Sequence, residues 1–113
     1  MRAAVLLALG ACLGVVPALA QGDDARALFA RADKGRCIAC HRVPEGAGPA
    51  TRSDLGPALE GTRMRALGRE ALRETIEDPT KANPATVMPP YGRHRILTPE
   101  EIDRLVEYLH ALP

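Results

Sequence analysis

Five consecutive residues, from Cys37 to His41, constrain this chain more than any other stretch, because they form a Cys-x-x-Cys-His motif. Two cysteines at positions i and i+3 lie on one face of a helical turn, so their sulfurs can reach the two vinyl groups of one haem and form thioether bonds. His41 follows on the same turn and can place an imidazole nitrogen on the iron. The motif therefore predicts one covalently attached haem c, with Cys37 and Cys40 as attachment sites and His41 as the proximal iron ligand.

Two other chemistries use closely spaced cysteines. A Cys-x-x-Cys pair also occurs in thiol–disulfide exchange and in half of a zinc site. The histidine directly after the pair favours haem, and no second Cys/His pair in the sequence is spaced to complete a zinc site.

The N-terminal residues have the pattern of an export signal. Arg2 supplies a positive start, an apolar run follows up to Val16, and residues 18–20 form a small-residue cleavage pattern. We therefore predict a signal peptide over residues 1–20, cleaved near Ala20, and a periplasmic cytochrome domain over residues 21–113 without a membrane anchor. A bacterial lipoprotein box ending at Cys12 is the rival interpretation, although the apolar run continues past that cysteine.

The cysteine count and the charge argue against several functions. The chain has three cysteines, and cleavage near Ala20 removes Cys12. The motif then uses both remaining thiols, which leaves none as a nucleophile or a disulfide partner. The formal net charge of +1 and the lack of a nucleic-acid-binding motif argue against nucleic acid as a partner. Aromatic residues are scarce, so a large apolar cofactor would supply much of the buried surface.

Hydrophobic spacing and capping residues predict an all-α fold of three to four helices packed around the haem. The first helix would run from residue 23 or 24 to about residue 34. The second would cover residues 68–78, with Leu67 on its apolar face. The last would begin at a capping box in which Thr98 is the N-cap and Glu101 occupies N3. No β-strand pattern is present.

A loop rich in glycine and proline is predicted over residues 42–61, directly after the motif. Within it, the carbonyl of Pro57 is free to accept a hydrogen bond from the Nδ1–H of His41, which would orient the imidazole ring. From spacing alone, an ordinary turn at Gly56 and Pro57 is an equally good interpretation.

The second axial position of the iron has four candidate ligands, which are Met64, Met88, His94 and His110. We predict Met88, because the adjacent Val87 and the two prolines that follow hold the backbone around its flexible side chain. Thioether ligation favours the reduced iron and raises the potential. An iron with both axial positions filled has no open site for a substrate, so this prediction favours electron transfer.

Four arginines have two open interpretations. They could pair with the haem propionates, or they could be solvated surface charges. They are Arg63, Arg65, Arg93 and Arg95.

Residues 83–102, which contain Met88 and run into Thr98, strongly resemble the C-terminal half of the SoxX family. Members of this family are the small monohaem subunits of the SoxAX cytochrome complex of bacterial sulfur oxidation. The Cys37–His41 motif, the Gly56-Pro57 step and the segment 78–80 are similar as well. The resemblance implies that Cys37 and Cys40 bind haem, that His41 is the proximal ligand and that Met88 is the distal ligand.

The resemblance also implies the fold and the partners. The fold would be that of a class I cytochrome c, in which the terminal helices cross and bring Phe29 near Tyr108. The partner in a heterodimer would be a SoxA-like cytochrome, and the complex would oxidatively couple thiosulfate to a cysteine of a sulfur-carrier protein, releasing two electrons. The catalytic site would lie on SoxA, and this chain would relay electrons to a soluble acceptor.

Two further functions are compatible with the same motif. One is a free-standing electron-shuttle cytochrome, such as a small donor to a terminal oxidase. The other is a haem sensor or ligand binder, which would need an open sixth site on the iron.

Overall fold

The structure, a computed structural model, describes residues 18–113, with side chains from residue 24 onward. No strand occurs among these residues, and the predicted all-α class is confirmed. The helices are α1 (Ala18–Ala30), α2 (Gly61–Leu67), α3 (Arg69–Glu77) and α4 (Pro99–His110), with short 3-10 turns at Ala32–Lys34, Cys37–Ala39 and Pro79–Lys81.

The predicted signal peptide and Cys12 lie outside the described residues, except for residues 18–20. Those three residues form the first turn of α1. None of the helices that the structure describes is long and apolar enough to cross a membrane.

The packing of α1 across α4 is the largest contact between helices in the described chain. The ring centroids of Phe29 on α1 and Tyr108 on α4 lie 5.5 Å apart with an interplanar angle of 53°, a tilted arrangement that aromatic pairs favour. The crossing of the terminal helices that the resemblance implied is therefore confirmed. The apolar face of α4 is buried as its spacing predicted, through Ile102, Leu105, Val106 and Leu109.

The capping box at the start of α4 forms as predicted. The hydroxyl of Thr98 accepts a hydrogen bond from the Glu101 N–H at 3.2 Å, and the Glu101 carboxylate accepts one from the Thr98 N–H at 2.9 Å. The same carboxylate lies 2.9 Å from Nζ of Lys34, in the 3-10 turn that follows α1. One side chain thus caps α4 and joins it to the segment that leads into the cysteine motif.

The middle of the chain forms two helices where the sequence predicted one. Gly68, with a φ of 82°, separates α2 from α3, so Leu67 belongs to α2 and is 51% exposed. The predicted assignment of Leu67 to the same helix as Leu72 and Ile76 is therefore corrected, because the break at Gly68 places it on a separate helix. α2 has only seven residues and no side-chain cap, and it is tied to the C-terminus, where the Gly61 N–H donates to the carbonyl of Pro113 at 2.9 Å.

The loop after the motif folds back onto it. The Gly56 N–H donates to the carbonyl of Cys40 at 2.9 Å, and the Leu59 N–H donates to the carbonyl of Arg42 at 2.8 Å. The hydroxyl of Tyr108 donates to the carbonyl of Ala47 at 2.8 Å, which fastens the same loop to α4. These bonds place residues 56–59 beside the cysteine motif.

Replacing Glu101 with glutamine should lower the thermal midpoint at pH 7, because the amide loses the ion pair with Lys34. Burial opposes ionisation of Glu101, but hydrogen bonds from the Thr98 N–H and Lys34 hold its pKa below the ordinary value of 4.5. A carboxylate whose pKa is lower in the folded state than in the unfolded state stabilises the fold at pH values above the unfolded-state pKa. This stabilisation is lost as the pH falls through the folded-state pKa. The difference in midpoint between wild type and Glu101→Gln should therefore shrink below pH 4.5, as measured by thermal unfolding.

The matched control is Glu74→Gln on the exposed surface of α3, which should leave the midpoint nearly unchanged. A difference for Glu101→Gln that stays constant from neutral to acid pH would contradict the role of the carboxylate.

Candidate functional site

A cavity of about 390 Å³ lies between the helices and the two long loops. Its wall is mostly apolar and is formed from distant parts of the chain, among them Phe29, Leu59, Leu72, Ile76, Leu105 and Leu109. The volume falls within the range of small-molecule and cofactor sites. Both motif cysteines, His41, Met64 and Met88 line the same cavity.

The motif forms one tight turn, as its spacing predicted. The N–H groups of Cys40 and His41 both donate to the carbonyl of Cys37, at 3.1 and 2.9 Å. Gly35, with a φ of 100°, and Arg36, with a φ of 46°, turn the chain directly before it. The turn presents two thiols and an imidazole to the cavity from within five residues.

The environment of Cys37 disfavours the thiol–disulfide interpretation. Burial raises the pKa of Cys37 to about 11, and the neighbouring Cys40 adds to that shift. Exchange reactions require a thiolate, which redox motifs obtain by lowering the pKa of one cysteine. Cys37 is therefore protonated at neutral pH and is a poor nucleophile.

The zinc interpretation finds no support in the part of the chain that the structure describes. No group of three or more His, Cys, Asp or Glu side chains there could hold a metal ion. A structural zinc site needs four ligands, and the described residues contain no cluster of even three.

The imidazole of His41 is oriented by the Gly-Pro step. Its Nδ1 lies 2.8 Å from the carbonyl oxygen of Pro57, so this carbonyl accepts the Nδ1–H. Nε2 then keeps its lone pair, which a metal can accept. Of the two interpretations open from the sequence, the structure therefore gives the hydrogen-bonded one.

Gly56 packs flat against the same ring. A Cβ built on Gly56 would lie 2.7 Å from Nδ1 of His41 and 2.5 Å from its Cε1. Real Cβ atoms do not approach side-chain atoms this closely, so only glycine fits here. The packing of Gly56 against His41 was not predicted from the sequence.

Two of the four candidates for the second axial ligand line the cavity, and two do not. Met64 on α2 is 2% exposed, and Met88 lies half-buried in the loop before α4. His94 is exposed and is absent from the cavity wall. His110 lies at the end of α4, where Nε2 is 3.3 Å from the Arg69 guanidinium. Of the four candidates, Met64 and Met88 are therefore the two that line the cavity.

Local hydrogen bonds shape the backbone that presents Met88. The Met88 N–H donates to the hydroxyl of Thr86 at 3.1 Å. The Ala85 N–H donates to the Asn83 side chain, and the Thr86 N–H donates to the Asn83 carbonyl. These are the compact turns that Asn and Thr side chains support.

The arginines considered as partners of the haem propionates lie in different surroundings. Arg63 lines the cavity, whereas Arg65 donates to the carbonyl of Leu112 at 2.7 Å and Arg93 pairs with Asp78 at 3.2 Å. Arg36 also lines the cavity, although sequence analysis did not select it. Its position directly before the first motif cysteine was the signal that could have identified it.

Tyr91 closes part of the cavity wall without adding charge to it. Its hydroxyl donates to the carbonyl of Gly35 at 3.2 Å. Burial raises the pKa of Tyr91 to about 12, so the phenol stays neutral at all physiological pH values. A Cβ on Gly35 would overlap the Tyr91 ring, which makes glycine necessary at this left-handed position.

The residues present fit haem c. The apolar wall suits a large macrocycle, the thiols of Cys37 and Cys40 suit attachment to its vinyl groups, and the imidazole with a free Nε2 suits the iron. The wall also carries two methionine thioethers, a type of group that binds haem iron in cytochromes c.

Comparison with known proteins agrees with this fit. A family model described as "Cytochrome C oxidase, cbb3-type, subunit III" matches residues 20–109. The chain belongs to this family of cytochrome c domains, and it has an all-α, cytochrome c-like fold.

One curated relative is an uncharacterized lipoprotein of Aquifex aeolicus (strain VF5), which is 35% identical over 81 residues, or 68% of this chain. The chain spans only about a third of the length of that relative, 36%. No solved structure gives a significant match.

Replacing Gly56 with alanine should reduce the yield of haem-loaded protein, because the new methyl group displaces the His41 ring from the carbonyl of Pro57. The ratio of haem absorbance to total protein, measured on the purified protein, should fall severalfold, by analogy with the loss of groups that orient metal ligands.

Gly46→Asn is a suitable control, since Gly46 has a φ of 80° that asparagine tolerates and no atom lies near its Cβ position. Equal haem loading of the Gly56→Ala variant and wild type would contradict the role of Gly56.

Proposed function

We propose that this chain is a periplasmic monohaem c-type cytochrome that relays electrons as the SoxX-like subunit of a SoxAX complex. One haem c would be bound covalently through Cys37 and Cys40, with His41 as the proximal ligand and Met88 as the distal ligand. The observation that carries the electron-transfer role is the convergence of these four side chains on one apolar cavity.

When bound, haem c supplies an iron that takes up and releases one electron at a time. The chain's own residues hold it and set its potential. The carbonyl of Pro57 keeps the Nδ1–H of His41 in place, and the apolar wall excludes water. The Met88 thioether would favour the reduced state and occupy the position at which a substrate would otherwise bind.

The cavity has an apolar rim, formed by Leu55, Leu67 and Val87. These are the exposed large hydrophobic residues of the described chain, at 74%, 51% and 88% exposure, and all three line the cavity. Exposed apolar patches of this kind mark contact sites for partners. The rim is therefore the surface at which we expect a partner to approach the haem.

The SoxAX assignment is supported by the resemblance of residues 83–102 to the SoxX family. It also agrees with the thiol count, because the motif uses both cysteines that remain after cleavage near Ala20 and leaves none for sulfur chemistry. The formation of the bond between thiosulfate and the carrier-protein cysteine would take place on the SoxA chain. This chain would pass the released electrons to a soluble acceptor.

The name of the matching family favours a second candidate function. It names a cbb3-type oxidase, so a free-standing cytochrome that donates electrons to a terminal oxidase is the alternative. The name of the Aquifex relative likewise favours lipid attachment at Cys12 over cleavage near Ala20. The N-terminal residue of the purified protein distinguishes a form lipidated at Cys12 from a form cleaved near Ala20.

Met88→Ala should lower the potential and allow carbon monoxide to bind the reduced protein at neutral pH, because it removes the distal ligand. The wild-type chain must first keep its haem after denaturation, as thioether bonds to Cys37 and Cys40 require. Carbon monoxide binding is measured by difference absorption spectroscopy, and the potential by redox titration.

The matched variant is Met64→Ala, which removes the other methionine from the cavity wall. It should lower stability by about 2–5 kcal/mol through cavity formation, yet leave the iron closed to carbon monoxide. The reverse pattern, with carbon monoxide bound by Met64→Ala alone, would transfer the ligand role to Met64.

Mixed with a SoxA cytochrome and the sulfur-carrier protein, the chain should form a one-to-one complex whose haem is reduced on addition of thiosulfate. Val87→Asp should weaken the complex about tenfold, because it buries a charge in the apolar rim. Affinity is measured by calorimetry and reduction by absorption spectroscopy.

Ala27→Asp adds the same charge on the exposed surface of α1, away from the cavity wall, and should have little effect on binding. A chain that binds no SoxA cytochrome but rapidly reduces a terminal oxidase would reject the SoxAX role in favour of the second candidate.

A further inference from the structure

We propose that Asp78 is a positioning residue that closes the base of the loop carrying Met88 and so holds the Met88 thioether at the haem site. This inference rests on the proposed role of Met88 as the distal ligand. The loop comprises residues 82–91, and Asp78 lies before it in sequence, at the end of α3.

Asp78 fastens the first end of the loop. Its carboxylate oxygen Oδ1 accepts hydrogen bonds from the N–H and the hydroxyl of Thr80, and so caps the turn Pro79–Lys81. Asp78 is only 5% exposed, which is uncommon for a carboxylate unless its oxygens are paired. The segment that enters the loop is thus fixed to the end of α3.

The second end of the loop is fastened at the same place. The other oxygen, Oδ2, accepts a hydrogen bond from the Arg93 guanidinium at 3.2 Å. The adjacent carbonyl of Glu77 accepts from the N–H groups of Gly92 and Arg93, at 3.2 and 3.0 Å. A Cβ on Gly92 would overlap the Glu77 carboxylate, so the two segments are in close contact.

The carboxylate is ionised when it makes these contacts. The hydrogen bond from Thr80, and then that from Arg93, outweigh the effect of burial and hold the pKa of Asp78 below its usual range. Hydrogen bonds to a charged acceptor are stronger than those between neutral groups. The contacts that hold the two ends of the loop together therefore depend on the charge of Asp78 as well as on the shape of its side chain.

Holding the two ends of the loop together matters for the distal ligand, because in our proposal Met88 can reach the iron only while the loop is closed. A competing ligand such as imidazole binds the oxidised iron only when Met88 has left, so its apparent affinity reports the population of the open loop. Weakening the contacts between the two ends of the loop raises the population of the open loop. It does not change the intrinsic affinity of imidazole for the iron.

The test is imidazole titration of the oxidised holoprotein, followed by absorption spectroscopy. Asp78→Ala should bind imidazole about tenfold more tightly than wild type, the factor expected when hydrogen bonds to a charged group are lost. Asp78→Asn keeps an acceptor for Thr80 but loses the charge, and Arg93→Gln removes the cation. Each should give a smaller gain of about threefold, since Arg93 is largely exposed and its ion pair is weakened by solvent.

Arg95→Gln is the matched control, because it removes the same charge from the same segment but touches neither Asp78 nor the cavity wall. It should bind imidazole with wild-type affinity. The double variant Asp78→Asn/Arg93→Gln should gain less than the product of the two single changes, because both remove one shared contact. Hydrogen exchange should quicken in residues 83–91 but not in α4.

Met88→Ala separates the positioning role of Asp78 from the ligand role of Met88. Imidazole binding that is tighter in Met88→Ala but unchanged in Asp78→Ala, Asp78→Asn and Arg93→Gln would overturn the positioning role and leave the ligand role intact. Wild-type affinity in Met88→Ala would overturn the ligand role and this proposal together. A lowered thermal midpoint with unchanged imidazole affinity would show that Asp78 is only structural.

Discussion

The site depends above all on the hydrogen bond between Nδ1 of His41 and the carbonyl oxygen of Pro57, at 2.8 Å. The cysteine turn alone places the imidazole near the cavity, but a single side chain on a short turn can rotate. The carbonyl removes that freedom, and Gly56 lets the loop approach the ring closely enough for the bond to form. The loop is in turn held by the Gly56 N–H on the carbonyl of Cys40. The motif and the Gly-Pro step therefore support each other.

The cavity explains how a small chain with few aromatic residues can be built around its cofactor. Its wall takes side chains from α1, the cysteine turn, α2, α3, the methionine loop and α4. The largest contact between two of these elements is the one in which α1 packs on α4, beside Phe29 and Tyr108. Elsewhere they face a space that a flat apolar group fills, and that contact replaces the packing that a larger core would provide.

The features that could be predicted from the sequence are those governed by near neighbours. The capping box of Thr98 and Glu101 spans four residues, and the cysteine turn spans five, so local spacing was sufficient for both. α2 was missed because its seven residues carry no cap and depend on the distant C-terminus. Leu67 lies on α2 and not on the predicted helix, because the break at Gly68 separates α2 from α3.

The two methionines on the cavity wall are held in physically different ways. This difference bears on how the second axial position of an iron could be kept occupied. Met64 lies in a helix and packs within the core, so its position follows from burial alone. Met88 lies between two prolines and Val87, which is largely exposed at the rim of the cavity, and its half-buried side chain packs against the edge of the core. Its position therefore depends on local contacts as well as on burial. The Thr86 hydroxyl accepts from its N–H, and in our proposal the contacts of Asp78 and Glu77 hold the two ends of its loop together. A ligand held in this manner can be released by a local opening that leaves the helices intact.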